Sequence, residues 1–244
     1  MTAGCRLGVL TATAAWSNVR LVSGDGSTRR SGMRVLPALC LAAVLPAACA
    51  RDDDGRASPA GRATAPSTGT PPREDPMTYG AFRSLVEDRR SIRKFTTDDV
   101  GEADVTRILE AVRLCPTAGN QQAYEVVVVR SPERRAALAA AAFGQAWVER
   151  APVVLAFVAL PAVSAARYGE RGSSLYAVQD ATIAAAYAML AATTLGLGTV
   201  WVGAFDTEAV ARALDCAAGE VPVALLPVGR PAESPGARPR RSVE

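Results

Sequence analysis

Hydrophobic and polar positions fall into three textures along the chain, with changes near residues 49 and 76. Residues 33–49, MRVLPALCLAAVLPAAC, form an apolar run behind an arginine and end in small residues before a cysteine. The run is too short to cross a membrane as a helix and has the layout of a secretory signal. Residues 50–76 are rich in Pro, Gly, Ser, Thr and Ala and nearly free of large apolar side chains. Such a segment cannot bury enough surface to offset its ordering entropy, so a flexible tether is expected.

From Met77 onward the periodicities are those of a globular domain spanning 77–244. A helix is expected around 78–88, and RRSIRKF (89–95) alternates like a short strand. Val105, Ile108, Leu109 and Val112 share one helical stripe, which Pro116 ends. YEVVVVR (124–130) reads as a buried strand, and Ser131 with Pro132 as the cap and first position of another helix. APVVLAFVA (151–159) predicts a second buried strand, 160–172 a loop or irregular segment, and 173–194 an alanine-rich helix closed by GLG. Gln179, Asp180 and Thr182 interrupt that helix's apolar character and argue against a membrane span. TVWVGA (199–204) predicts a strand, Asp206 caps a short helix, and VPVALLPVG (221–229) is the last strand. Few strands and much helix predict a small sheet wrapped by helices.

Length and composition then set limits. A chain of 244 residues, 49% hydrophobic, can bury one sizeable core if most of it belongs to a single domain. From Met77 onward 18 Lys and Arg face 18 Asp and Glu, so the net +3 lies wholly in the first 76 residues, and no nucleic-acid surface is indicated. The chain contains no histidine. That removes imidazole-ligated zinc, Ser-His-Asp and Cys-His chemistries. The cysteines at 5, 40, 49, 115 and 216 have no metal-ligand spacing, and Cys115 and Cys216 read as ordinary buried residues.

Two N-terminal stretches resemble addresses. TRRSGMR (28–34) is like a degenerate twin-arginine signal, and LPAAC is like a bacterial lipobox that would make Cys49 a lipidated first residue. Residues 1–49 are therefore expected to be a signal segment, giving an exported, membrane-anchored lipoprotein. The alternative is an over-extended start, with Met77 as initiator and a cytoplasmic protein.

Four stretches carry candidate chemistry. In a strand Arg89, Ser91 and Arg93 would share a face, and two forked guanidiniums with a hydroxyl make a receptor for phosphate. A solvated, charged edge strand is the alternative. Asn120, Gln121 and Gln122 lie in a loop whose amides suit the edge of a heterocycle, although a plain polar loop explains them too. Gly196 and Gly198 fit a helix C-cap, whereas Gly203 and Ala204 after a strand would let a planar ligand approach backbone N–H groups. Arg238, Arg240 and Arg241 form a basic tail, of interest if the chain end folds back toward Arg89 and Arg93.

R-R-S-I-R-K-F, PTAGNQQAY before a valine-rich strand, GLGTVWVGAFD after a long helix and a late R-x-R together resemble the FMN-dependent nitroreductase family, in the family's order and across 77–244. The resemblance implies an α+β fold with a small central β-sheet wrapped by helices, and a homodimer with two FMN sites, each built from both subunits. By position it implies that Arg89, Ser91 and Arg93, with Arg90 adjacent, hold the phosphate and ribityl chain, and that Arg238 and Arg240 close on the phosphate. Asn120 would contact the isoalloxazine with Gln122 nearby, and Gly203 would present its N–H toward flavin N5 with Ala204 beside it.

The implied activity is two-electron transfer from NADH or NADPH through FMN to a small electron-poor acceptor such as a nitroaromatic, quinone or enone. No catalytic side chain and no metal is implied. Dehalogenation, dehydrogenation or flavin fragmentation on the same fold are alternatives, as is a non-catalytic, tethered flavin-binding protein. Two features depart from the family: the sequence stops at Glu244 soon after the R-x-R, and an exported protein would have no easy access to NAD(P)H.

Overall fold

The valine-rich runs read from the sequence become the middle of one sheet. The computed structural model describes residues 18–22, 28–30 and 77–243. The apolar run at 33–49 with Cys49, and the expected tether at 50–76, lie outside the described residues. Two short strands come first, β1 (Val19–Val22) and β2 (Thr28–Arg30), then α1 (Tyr79–Asp88) and α2 (Glu102–Arg113). β3 (Tyr124–Val129), α3 (Pro132–Ala141), α4 (Ala146–Arg150), β4 (Val153–Ala159) and α5 (Pro161–Arg171) follow. A π-helical turn at Gly172–Tyr176 leads into α6 (Ala177–Thr194), β5 (Gly198–Thr199), α7 (Thr207–Ala213) and β6 (Val221–Gly229). From Tyr79 onward these elements form one compact unit together with β1 and β2.

The sheet order is β2-β1-β3-β4-β6-β5. β1 runs parallel to β3, and the other pairings are antiparallel. Every residue of β3 and β4 is buried, which is why neither strand shows polar alternation. Val126, Val128, Leu155 and Phe157 point to a face covered by α2 and α6. Val127, Val129, Val154 and Ala156 point to the other, where Leu138 of α3, Val148 of α4 and Val210 of α7 pack. Ala181, Ala184, Ala185, Ala188 and Ala192 give α6 a buried side of small residues against the sheet. The whole is an α+β fold.

The stripe expected on α2 is the buried one, with Val105, Ile108, Leu109 and Val112 all in the core. Ser131 caps α3 by accepting from Arg134 N–H at 3.4 Å, and Asp206 caps α7 by accepting from Ala209 N–H at 2.9 Å. Three expectations are corrected. Residues 161–171 are helical rather than irregular, because Pro161 opens the helix and the break comes only at Gly169, with φ of 57° and ψ of −142°. The strand expected at 199–204 is reduced to β5 and a lone bridge from Val202 to Leu225. RRSIRKF makes only isolated bridges, Ser91 to Thr199 and Phe95 to Pro231.

Arg20 of β1 is 1% exposed although its charge is permanent. Its guanidinium donates to the carboxylate of Glu125 and, at 3.0 Å each, to Glu220 Oε2, Leu214 O and Asp215 O. Burial opposes that charge, but the hydrogen bonds and charges of Glu125 and Glu220 outweigh it and hold its pKa above the ordinary value.

Candidate functional site

The C-terminal residues fold back along the RRSIRKF segment. Ile92 N–H donates to Thr199 O at 2.9 Å, Thr96 N–H to Arg230 O at 3.0 Å, and Ala232 N–H to Lys94 O at 2.9 Å. Glu233 then accepts from Arg93 N–H at 2.5 Å and from Lys94 N–H at 3.1 Å, fixing the crossing point of the two segments. The result is a cavity of about 630 Å³ lined by Arg89, Arg90, Ser91, Arg93, Arg238 and Arg240. Residues from both ends of the domain thus converge on a single arginine-lined cavity, and Lys94 is not part of the lining.

Arg90 lines the cavity but is also tied down locally: its guanidinium donates to Glu87 O and, at 3.0 Å, to Arg89 O. The alternation expected of a strand is therefore broken at Arg90, because the segment is extended only at two bridges. The Arg93 guanidinium lies 5.5 Å from the ring centroid of Trp147 on α4. Trp147 Nε1 is buried without an acceptor among the described residues.

Asn120 and Gln122 stand on a loop with unusual backbone geometry. Gly119, Asn120 and Gln122 have φ of 54°, 57° and 51°, in the left-handed region that side chains other than glycine enter only at a cost. At Gly119 a Cβ would also meet Tyr168 Oη and lie 2.9 Å from Arg167 Nη1, so a side chain there would displace both while adopting a left-handed φ. The loop is held from behind by Asp180, a buried carboxylate that accepts from Ala118 N–H at 2.9 Å and Ala123 N–H at 3.3 Å. Arg167 donates to Gly119 O at 3.2 Å, and Thr117 Oγ1 accepts from Gln122 N–H at 3.1 Å. Both amide side chains are exposed beyond this framework.

Gly203 and Ala204 follow the buried Val202, which exchanges hydrogen bonds with Leu225 at 3.0 and 2.9 Å. Gln145 Nε2 donates to Ala204 O at 2.8 Å, so the residue two places before Trp147 also pins this turn. A Cβ on Gly203 would lie 2.9 Å from Trp201 Nε1, so the indole and a bare backbone share the space. In one chain the arginine cavity includes neither Asn120 and Gln122 nor Gly203 and Ala204. The 116–118 end of the loop instead borders a second cavity of about 400 Å³ with Gln179, Asp180 and Thr182.

Sequence reasoning missed the supporting roles of Asp180 and Glu233. Asp180 left a signal, as the one charged side chain in an alanine-rich helix. No local pattern marks Glu233. Cys115 and Cys216 are not activated thiols: burial pushes both pKa values up, Cys216 to about 11.

The model of the nitroreductase family matches residues 86–230. The chain belongs to the nitroreductase family. Its curated relatives include an NADH dehydrogenase of Thermus thermophilus, 35% identical over 172 residues that cover 59% of this chain and 84% of the relative. An FMN reductase [NAD(P)H] of Bacillus subtilis is 33% identical over 172 residues, covering 65% of this chain and 69% of the relative. Among solved structures, the NADPH:FMN oxidoreductase of Vibrio harveyi complexed with NAD+ superposes with a TM-score of 0.61 at 26% identity, covering 66% of this chain and 73% of that one. A nitroreductase family protein of Streptococcus pneumoniae gives a TM-score of 0.61 at 28% identity, covering 66% and 96%. The matched span reaches from just before Arg89 to Arg230 and leaves Arg238 and Arg240 outside it.

Proposed function

We propose that this nitroreductase holds FMN as its resident cofactor and passes two electrons from NAD(P)H to a small electron-poor acceptor such as a nitroaromatic or a quinone. The observation that carries the reading is the convergence of Arg89, Arg93, Arg238 and Arg240 with Ser91 on one cavity. Permanently charged, forked donors with a neutral hydroxyl fit a phosphate monoester, and no acid but Glu87 lines the cavity against it. When bound, FMN takes up and gives back a hydride equivalent, so the chain need supply no nucleophile or general base.

The chain's own residues bind, orient and exclude water. The arginines would hold the phosphate end with Ser91. The exposed amides of Asn120 and Gln122 would meet the polar edge of the ring system, and the bare backbone at Gly203 and Ala204 would supply N–H groups to its centre. Since the arginine cavity and the 118–122 loop do not share one pocket, each site would be completed by a second subunit. The apolar side chains Tyr79, Phe82 and Val86, exposed on α1, support a homodimer. The relatives named for FMN and NAD(P)H support the cofactor and the donor.

The deciding experiment is simple. Full-length protein is purified, its visible spectrum recorded, and the released chromophore identified. An oxidised flavin band from FMN that NADH or NADPH bleaches without oxygen is expected. A colourless protein that binds neither FMN nor riboflavin would sink the reading, and riboflavin binding as tight as FMN binding would remove the phosphate receptor from it.

A further inference from the structure

The sheet carries a second receptor, remote in sequence from the arginine cavity and independent of the flavin reading. On its receiving side are the edge of β3, the carboxylates of Glu125 and Glu220, and the carbonyls of Leu214 and Asp215 at the end of α7. Each of these four groups accepts a hydrogen bond, and Glu125 is itself buried at 6% exposure. An acidic notch of this kind beside a strand edge fits one chemistry, an extended segment that pairs with β3 and carries a guanidinium at the right register. Residues 19–22 do so: Arg20 pairs with Val127, and Asn18 O accepts from Val126 N–H at 2.9 Å. The segment also reaches the flavin-loop candidate, because Asn18 Nδ2 donates to Gln122 O at 3.2 Å.

We propose that the β3 edge with its Glu125 and Glu220 notch is a docking site for an arginine-bearing strand, and that its occupant in the working protein is residues 18–22 of the same chain. An unpaired Glu125 inside the sheet would be costly, and Arg20 neutralises it with a geometry no lysine could match, since four acceptors surround one fork. The segment containing Arg29 and Arg30 is then a folded strand on the sheet, and it remains with the enzyme.

The test uses full-length chain and reads amide hydrogen exchange at Val126 with intact mass. Slow exchange at Val126 is expected in the wild type, accelerated about a hundredfold in Arg20→Glu. Much of the protection should return in the double variant Arg20→Glu with Glu125→Arg. Fast exchange at Val126 in the wild type overturns the proposal even if the variants fail to fold, and so does unchanged exchange in a folded Arg20→Glu. Mixing Arg20→Glu chains with Glu125→Arg chains separates the occupants: recovery on mixing means the strand comes from a second copy and overturns the same-chain assignment. Protein from its native host should show a mass that includes 18–30. A mature chain beginning at Cys49 or Met77 defeats the proposal.

Discussion

Asp180 places both oxygens on the backbone of one loop, accepting from Ala118 and Ala123 N–H groups that flank the left-handed residues 119, 120 and 122. Strained backbone persists only where the surroundings over-determine it, and this carboxylate is that constraint. Asp180→Ala is expected to destabilise the fold by about 1–3 kcal/mol, since one buried and one partly buried donor lose their acceptor. Asp180→Asn should fall between, because only one of its two groups can accept; urea denaturation ranks the three. For the anion cavity, Arg93→Ala should weaken FMN retention about tenfold or more, whereas Lys94→Ala, outside the lining, should leave it near wild type. Fluorescence titration of the apoprotein distinguishes them, and equal losses would refute the assignment.

Cys216 gives the pH prediction. Its folded pKa, about 11, lies above the ordinary 9.0 because burial disfavours the thiolate. Between those values the folded chain keeps a proton that the unfolded chain releases, so stability is full below pH 9.0 and declines toward about pH 11. Melting temperatures across that window should fall less steeply in Cys216→Ser. Arg89, Ser91 and Arg93 were legible in the sequence because their charges and hydroxyl are local, whereas Arg238 and Arg240 joined them only through the family resemblance. Asp180 was not, because its partners lie 62 and 57 residues away.

At the scale of elements, legibility followed burial on two faces. β6 matches its expected bounds, and β3 and β4 nearly do, because continuous apolar runs leave little choice of period. α5 was read as irregular because only Ser164 of its residues is buried, so its sequence bears little apolar stripe. β1 and β2 were hidden for a different reason: strands of four and three residues are too short to carry a periodic signal. α1 has no buried residue, yet Tyr79, Phe82 and Val86 recur near helical spacing and stay exposed. If this is the face that meets a second subunit, Phe82→Asp should shift the protein toward monomer in sedimentation velocity while leaving the far-ultraviolet circular dichroism unchanged.

For the whole molecule, near neutrality of charge from Met77 onward makes the arginine cavity a local feature rather than part of a basic surface. Several of its arginines are open to solvent, so their pull on an anion is screened by salt. FMN release on dialysis should accordingly quicken as ionic strength rises from about 0.01 M to about 1 M, and riboflavin affinity should hardly change. The sheet's asymmetry has a consequence for handling the protein. With β1 in place, Val126–Val129 of β3 are paired on both sides; without it, those four valines are a bare, uncharged edge of the kind that recruits identical strands from other molecules, with Glu125 beside them as the one charge opposing it. A preparation begun at Met77 would then lose material to fibrous precipitate at concentrations where the longer chain stays clear, with Val126 to Val129 as the growing edge.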